Sequence, residues 1–419
     1  MKQKEIQDII DTREYIRSRW DAALNHSIPG DPFALPYPFV PPCIDGDFHV
    51  LFYWDTFYTN RGMIADGRFE YAKYNVDNLI FALDKLGFVP NAYSENLIKW
   101  VSQPPYLHFM VKDIYRVNHD DAWLRKAYFA LKKEYAFWMK ERIAPNGLNR
   151  HFHNRLTTQD LCEYYDYVAK ERLGLPVDIQ AERKAKLGEC YCADAEAGLD
   201  FTPRFLDRGI YINPVDLNAN LYGMEHDLAD LAKKFEPEEE KKFLEAAESR
   251  KRKMDELMLR PDGLYYDYDF DQGRIFREDY CFTGQFMPFI TGLSKNKGAA
   301  KKLLSRLSYP FGITSTQEDK DEKIEYQAAY PFSWPYDNYL AYWGLKEASM
   351  PEEAKEVGLG WLRNLSSTFK STGKLWETYD PFVGGRAKKK EYPANEMMGW
   401  TAGGFSFLCE DFGFDKKPE

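Results

Sequence analysis

Apolar side chains recur at helical spacing along nearly the whole of this chain, and that pattern limits its fold more than any other feature. Leu124, Tyr128, Leu131, Tyr135 and Trp138 step by fours and threes, as do Leu217, Leu221, Met224, Leu228 and Leu231, so each set occupies one face of a helix. Further helices are expected over roughly 4–25, 55–65, 69–86, 104–117, 159–173, 238–259, 281–293, 297–307, 336–347, 352–368 and 394–411. Glu236-Pro237-Glu238-Glu239-Glu240 reads as a helix opening, with proline in the first turn and acids at the positive dipole end. The clearest strand signal is Leu264 to Phe270, which follows Pro261-Asp262-Gly263 and turns back at Asp271-Gln272-Gly273 as a small hairpin would. No Pro-, Gly- or Ser-rich linker divides the chain, so residues 1–419 are expected to form one all-α domain. Six inner helices ringed by six outer ones close about a dozen antiparallel helices round one core.

Charge and cysteine usage narrow the function. A formal net charge of -10, from 66 acidic against 56 basic side chains, disfavours nucleic acid, whose phosphates need a basic face. No apolar run approaches the roughly 20 residues of a membrane span, and residues 1 to 25 are charged throughout, unlike a secretory signal. Six cysteines without repeated spacing read as free thiols, which places the chain in a reducing cytoplasm, as a monomer or homodimer.

The common catalytic signatures are missing: there is no phosphate-binding Gly-Lys-Ser/Thr loop, no Gly-x-Ser-x-Gly and no His-Glu-x-x-His. His151 and His153 read as a surface pair, Asp267, Asp269 and Asp271 as an exposed hairpin, and Cys190-Tyr191-Cys192 lacks zinc spacing, so neither metal nor cofactor is expected. What remains is carboxylates set among aromatic residues: Phe52-Tyr53-Trp54-Asp55, Glu196 to Phe201, Trp376-Glu377-Thr378-Tyr379-Asp380, and Glu391-Tyr392-Pro393. Aromatic residues are 16% of the chain. That fits either a Phe- and Tyr-rich core or pocket walls with flat apolar faces beside hydrogen-bond donors. Glycosidic cleavage needs such a setting, because one carboxyl must stay protonated to release the leaving oxygen while another stays ionised to activate water. Composition does not choose among the four clusters.

The choice comes from resemblance. Leu35-Pro36-Tyr37-Pro38-Phe39-Val40-Pro41, Phe52 to Tyr58, Gly87-Phe88-Val89-Pro90-Asn91 and Ser102-Gln103-Pro104-Pro105 resemble, in order, the amino-terminal motifs of trehalases. Ala195 to Phe201, Pro214 to Asn218, Trp376 to Asp380, and Glu391-Tyr392-Pro393 leading to Gly399-Trp400-Thr401 continue the likeness over about residues 35 to 405. Trehalases are inverting glycoside hydrolases of family 37 built as an (α/α)6 barrel. The resemblance therefore implies Asp200 as general acid and Glu377 as general base. It also implies Trp54, Asp55, Asn91, Ser102, Gln103, Gly198, Trp334 and Glu391 as sugar-contacting residues. An inverting pair stands about 6.5–9.5 Å apart, with room for water.

Three departures bear on substrate. Gly46-Asp47-Phe48 places an aspartate where trehalases carry arginine, Val101 replaces an arginine before Ser-Gln-Pro-Pro, and Thr158 to Glu163 contains no arginine. Arginine's rigid fork has no substitute among neutral residues, so a differently lined leaving-group site is expected. Leu199 to Phe205 and Trp334 to Leu340 are similar to motifs of the related family 63, which includes hydrolases of mannosylglycerate and glucosylglycerate. The expected activity is exo-acting, inverting hydrolysis of a small α-glycoside other than trehalose. The alternatives are a true trehalase and a sugar-binding barrel without turnover.

Overall fold

In the computed structural model, which describes residues 1–45, 48–95, 101–388 and 399–414, twelve helices alternate along the chain between outer and inner positions. The outer helices are α1 (Gln3–Ala23), α3 (Phe69–Leu86), α5 (Asp121–Glu141), α9 (Pro237–Leu257), α11 (Lys297–Leu307) and α13 (Pro351–Thr372). The inner ones are α2 (Tyr53–Ala65), α4 (Leu107–Asn118), α8 (Val215–Phe235), α10 (Met287–Ile290), α12 (Pro335–Glu347) and α14 (Gly399–Asp411). Their burial reflects these positions. α9 hides only the stripe Phe243, Ala247, Arg250 and Met254, whereas α12 is buried on nearly every side from Pro335 to Tyr342. Around the inner ring α2 packs on α4 and α14, α8 on α10, α10 on α12, and α12 on α14. One hydrophobic core runs through all of them, from Ile9 to Cys409.

The contact between α2 and α14 is set by glycine. A Cβ on Gly62 would stand 2.3 Å from the Gly403 Cα, and one on Gly403 would stand 2.3 Å from the Tyr58 carbonyl oxygen. Only backbone fits there, and the close crossing brings Trp54 and Trp400, from the first turns of the two helices, within 6.3 Å in an edge-to-face pair.

Between α5 and α8 the chain inserts a further pair, α6 (Thr158–Tyr167) and α7 (Ala181–Glu196), joined through a π-helical turn at Val168–Leu173. The sequence pattern extends α6 through residue 173 but gives no sign of α7. Its amino-terminal half is charged and its buried half is Cys190, Tyr191, Cys192, Ala193, Asp194, Ala195 and Glu196, which has little apolar periodicity. The helix expected over 281–293 is a 3-10 turn, Thr283–Phe286, running into the short α10, which ends before Gly292 at φ +75°. Residues 394–398 of the last expected helix lie outside the described residues.

The hairpin is shorter than expected and has a third strand. β2 (Tyr268–Asp269) pairs antiparallel with both β1 (Ile212–Asn213) and β3 (Arg274–Ile275), with Asn213 opposite Tyr268 and Tyr268 opposite Ile275. A separate two-stranded pair joins β4 (Ser308–Tyr309) to β5 (Gly312–Ile313). Asp267 and Asp269 are not the exposed residues the alternation suggested. Arg204 grips Asp267 at 2.7 and 2.8 Å and Asp216 at 2.8 Å, and Arg208 holds Asp269 and Asp271. His151 and His153 are likewise buried rather than a surface pair, because the segment carrying them packs against α7, where His151 meets Glu196 and His153 meets Glu189.

A buried carboxyl on α5 gives a test of the core. The Tyr53 hydroxyl donates to Glu134 and accepts the Leu107 N–H at 2.9 Å, tying α2 to α4 and α5. Burial pushes the Glu134 carboxyl up to about 8, against hydrogen bonds that pull it down. The native state therefore keeps a proton that the unfolded chain releases near its ordinary value of 4.5. This contribution to stability is fully present below that value and is lost as pH rises to about 8. Glu134→Gln, which cannot ionise, is expected to gain on the wild type across that window by on the order of a few kcal/mol. Denaturation midpoints measured from pH 5 to 9 check this, and parallel profiles for the two proteins would refute it.

Candidate active site

The amino termini of the inner helices gather at one end of the barrel, and the loops entering them line a small cavity of about 90 Å³. Trp54 and Asp55 come from the first turn of α2, Tyr336 from that of α12, and Trp400 from that of α14. Asn91 and Gln103 come from the α3–α4 connection, Gly198 and Asp200 from the loop after α7, and Glu377 from the α13–α14 connection. Helix amino termini carry partial positive charge, which suits a cavity whose described lining holds Asp55, Asp200 and Glu377 and no lysine or arginine.

Aromatic rings make the wall. Trp54 lies 5.0 Å from Tyr336, and Trp334 stacks on Tyr336 at 5.9 Å and meets Trp400 edge-on at 5.7 Å. The Trp334 indole N–H donates to the Gln327 carbonyl at 3.1 Å, which fixes the ring. Flat apolar faces of this kind pack against the C–H faces of a sugar while the carboxylates meet its hydroxyls.

Each carboxylate is held differently. Asp55 is buried, and burial first, with the charges of Glu377 and Asp200 adding to it, pushes its carboxyl up to about 7 against its own helix-start N–H. Both other acids therefore lie within electrostatic reach of Asp55. Glu377, 3% exposed, sits on a segment tied down on both sides. Tyr379 forms backbone bridges with Ser333 and Arg386, its hydroxyl accepts the Trp376 N–H at 3.0 Å, and the Thr401 hydroxyl donates to the Trp376 carbonyl at 3.0 Å.

Asp200 stands on a strained turn. Gly198 has φ +72° and Phe201, a bulky residue, φ +57°, a conformation that costs an L-residue about 1–2 kcal/mol. Beneath the turn, Glu196 is fully buried. Burial alone would raise its carboxyl, but the Arg142 charge and the bonds from His151 and Arg142 outweigh it and hold the group at about 2. Glu196 also accepts the Ser102 N–H at 3.0 Å, and the Gln103 side chain accepts the Trp54 N–H at 3.0 Å. One buried ion pair thus registers the loop carrying Asp200 against the loop carrying Gln103 and the start of α2.

A Cβ on Gly198 would meet the Trp54 ring at 2.7 Å in a backbone conformation that already favours glycine. Gly198→Ala is expected to displace either Asp200 or the Trp54 wall and to lower kcat by roughly 10²-fold, as displacements of about 1 Å do. Steady-state kinetics check this, and unchanged kcat would show the turn to be dispensable.

Of the residues expected from sequence, the cavity brings together Trp54, Asp55, Asn91, Gln103, Gly198, Asp200, Trp334 and Glu377. Ser102 lies one layer behind the lining, where its hydroxyl donates to the Val89 carbonyl at 2.6 Å. Glu391 and Asp47 lie outside the described residues. Tyr336, Trp400 and Gln327 also line the cavity and were not expected as site residues, although Tyr336 and Trp400 fall within quoted motifs. Among the described residues no cluster of three or more His, Cys, Asp or Glu could hold a metal ion, and no helix is long and apolar enough to cross a membrane.

The sequence model of the trehalase family matches residues 1–413. The chain belongs to the trehalase family. It is therefore a glycoside hydrolase of an inverting family, acting on O-glycosyl bonds. A periplasmic trehalase of Pseudomonas aeruginosa is 28% identical over 428 residues, covering 94% of this chain and 75% of that one. Among solved structures, the neutral trehalase Nth1 from Saccharomyces cerevisiae superposes with TM-score 0.74 at 23% identity, covering 94% of this chain and 78% of that one. The mannosylglycerate hydrolase of family 63 from Thermus thermophilus, in complex with Tris, superposes with TM-score 0.62 at 16% identity, covering 95% of this chain and 99% of that one. These likenesses show the (α/α)6 barrel expected from the helix pattern.

Two expectations are corrected by the relatives. The cytoplasmic placement is overturned, because the Pseudomonas relative is named periplasmic. Free thiols were a poor guide to compartment here, since five of the six are buried and burial raises Cys190 to about 12 and Cys281 to about 11, leaving them inert. The exclusion of trehalose also finds no support, since relatives along nearly the whole chain are named trehalases.

Proposed function

We propose that the chain is an exo-acting α-glycosidase that hydrolyses α,α-trehalose to glucose, with Asp200 protonating the leaving oxygen and Glu377 activating water. The observation that carries this reading is the convergence of Asp200, Glu377 and Asp55 on one cavity walled by Trp54, Trp334, Tyr336 and Trp400. Its closure by the inner-helix termini suits attack on a terminal sugar rather than an internal one. The names of the relatives support trehalose as the substrate. One core threading all twelve barrel helices supports reading residues 1–419 as a single catalytic domain.

A second reading, another small α-glycoside, is favoured by one feature. Val101 is buried in an apolar cluster with Leu161, Cys192 and Ala195, so the position where the family resemblance leads one to expect arginine is packed with apolar side chains. A screen of trehalose, glucosylglycerate, mannosylglycerate, kojibiose, nigerose, maltose, isomaltose and sucrose for released monosaccharide decides between them. Trehalose is expected to show the highest kcat/KM. A different best substrate would select the second reading, and release from none would refute both.

A further inference from the structure

Arg172 lies on the π-helical turn Val168–Leu173, an irregularity that often marks functional positions. The turn packs through Val168 and Ala169 on Tyr191 of α7 and on Phe201, the residue after Asp200. The Arg172 guanidinium lies 5.2 Å from the centroid of the Phe201 ring and donates to the side-chain oxygen of Gln327, a residue of the cavity lining. Tyr164, whose hydroxyl is pushed far up chiefly by burial, feels the charges of both Asp200 and Arg172. The arginine thus stands just outside the lining, on the side of the cavity where Asp200 enters.

We infer that Arg172 and Gln327 form the subsite for the leaving group, with the arginine fork reading adjacent hydroxyls of a departing sugar. The inference rests on the proposed acid role of Asp200, because the group protonated by the acid must lie on the acid's side of the scissile bond. A guanidinium presents donors in one plane at fixed spacing, which matches a vicinal diol better than a single ammonium can. The sequence bears no sign of this role, since Arg172 falls outside every motif that resembles the family. It comes to the edge of the cavity because the π turn packs on Phe201 and its guanidinium bonds Gln327 of the lining.

The test compares two substrates that share the glycone and differ in leaving group: the best α-disaccharide of the screen, and α-D-glucosyl fluoride, whose fluoride is too small to reach Arg172. Arg172→Lys and Arg172→Ala are expected to lower kcat/KM on the disaccharide by about 10- to 100-fold, mainly through KM, while changing fluoride hydrolysis by no more than about threefold. Gln327→Ala, which keeps the Arg172 guanidinium but removes the side chain it bonds, is expected to show the same preferential loss on the disaccharide and keeps the test open if Arg172→Ala fails to fold. Equal losses on the two substrates, or no loss on the disaccharide, would overturn the inference and leave the glycosidase reading intact. A wild-type protein inactive on both substrates would overturn the glycosidase reading and this inference with it.

Discussion

Asp200→Asn is expected to lower turnover of an unactivated α-disaccharide by about 10²–10⁴-fold, the usual contribution of a general acid. A sugar alkoxide is a poor leaving group and must take a proton as the bond breaks. Fluoride needs no such help, so α-D-glucosyl fluoride should be spared most of the loss. The comparison matters because the cavity holds a second candidate. Asp55, raised to about 7 by burial and by its two acidic neighbours, keeps a proton over part of the neutral range. It differs in position, at the first turn of α2 next to Trp54, and on the proposed reading it meets the glycone rather than the leaving group. Asp55→Asn is accordingly expected to damage both substrates alike. If Asp200→Asn kept near wild-type activity on the disaccharide while Asp55→Asn lost it selectively, the acid would have to be reassigned to Asp55.

What the sequence reveals divides by physical cause. Helices such as α5 and α8 are legible because the repeat of their large hydrophobic residues matches the helical turn. α7 is not legible, since its buried half is made of small, polar and acidic residues, and the burial of Glu196 depends on Arg142, a partner distant in sequence. Asp267 and Asp269 mislead for the same reason. Alternating aspartates look solvated until Arg204 and Arg208 are seen to reach them from another loop. Ser102 shows the limit of motif reading: its segment forms the wall, but its hydroxyl turns inward to Val89. Arg172 shows the opposite limit, since a residue outside every motif stands beside Phe201 and Gln327.

Glu377→Ala is expected to remove base activation of water and to lower turnover by about 10²–10⁴-fold on the disaccharide and on the fluoride alike, because both reactions consume the same water. That shared loss separates the base from Asp200, whose removal spares the fluoride. The wild-type product carries the mechanistic information. If Glu377 directs water to the face opposite the departing group, the anomeric carbon inverts in one displacement and an α-glycoside gives the β-sugar first. Were Glu377 instead the nucleophile of a covalent intermediate, two inversions would return the α-sugar, and the carboxyl pair would need to stand about 5–5.5 Å apart. The inverting mechanism of the family to which the chain belongs favours the first course. Proton NMR of α-D-glucosyl fluoride hydrolysis, recorded before mutarotation, should show β-glucose accumulating first, whereas α,α-trehalose should give both anomers equally because its leaving glucose keeps the α configuration. Early α-glucose from the fluoride would remove Glu377 from the base role and require a different partner for Asp200.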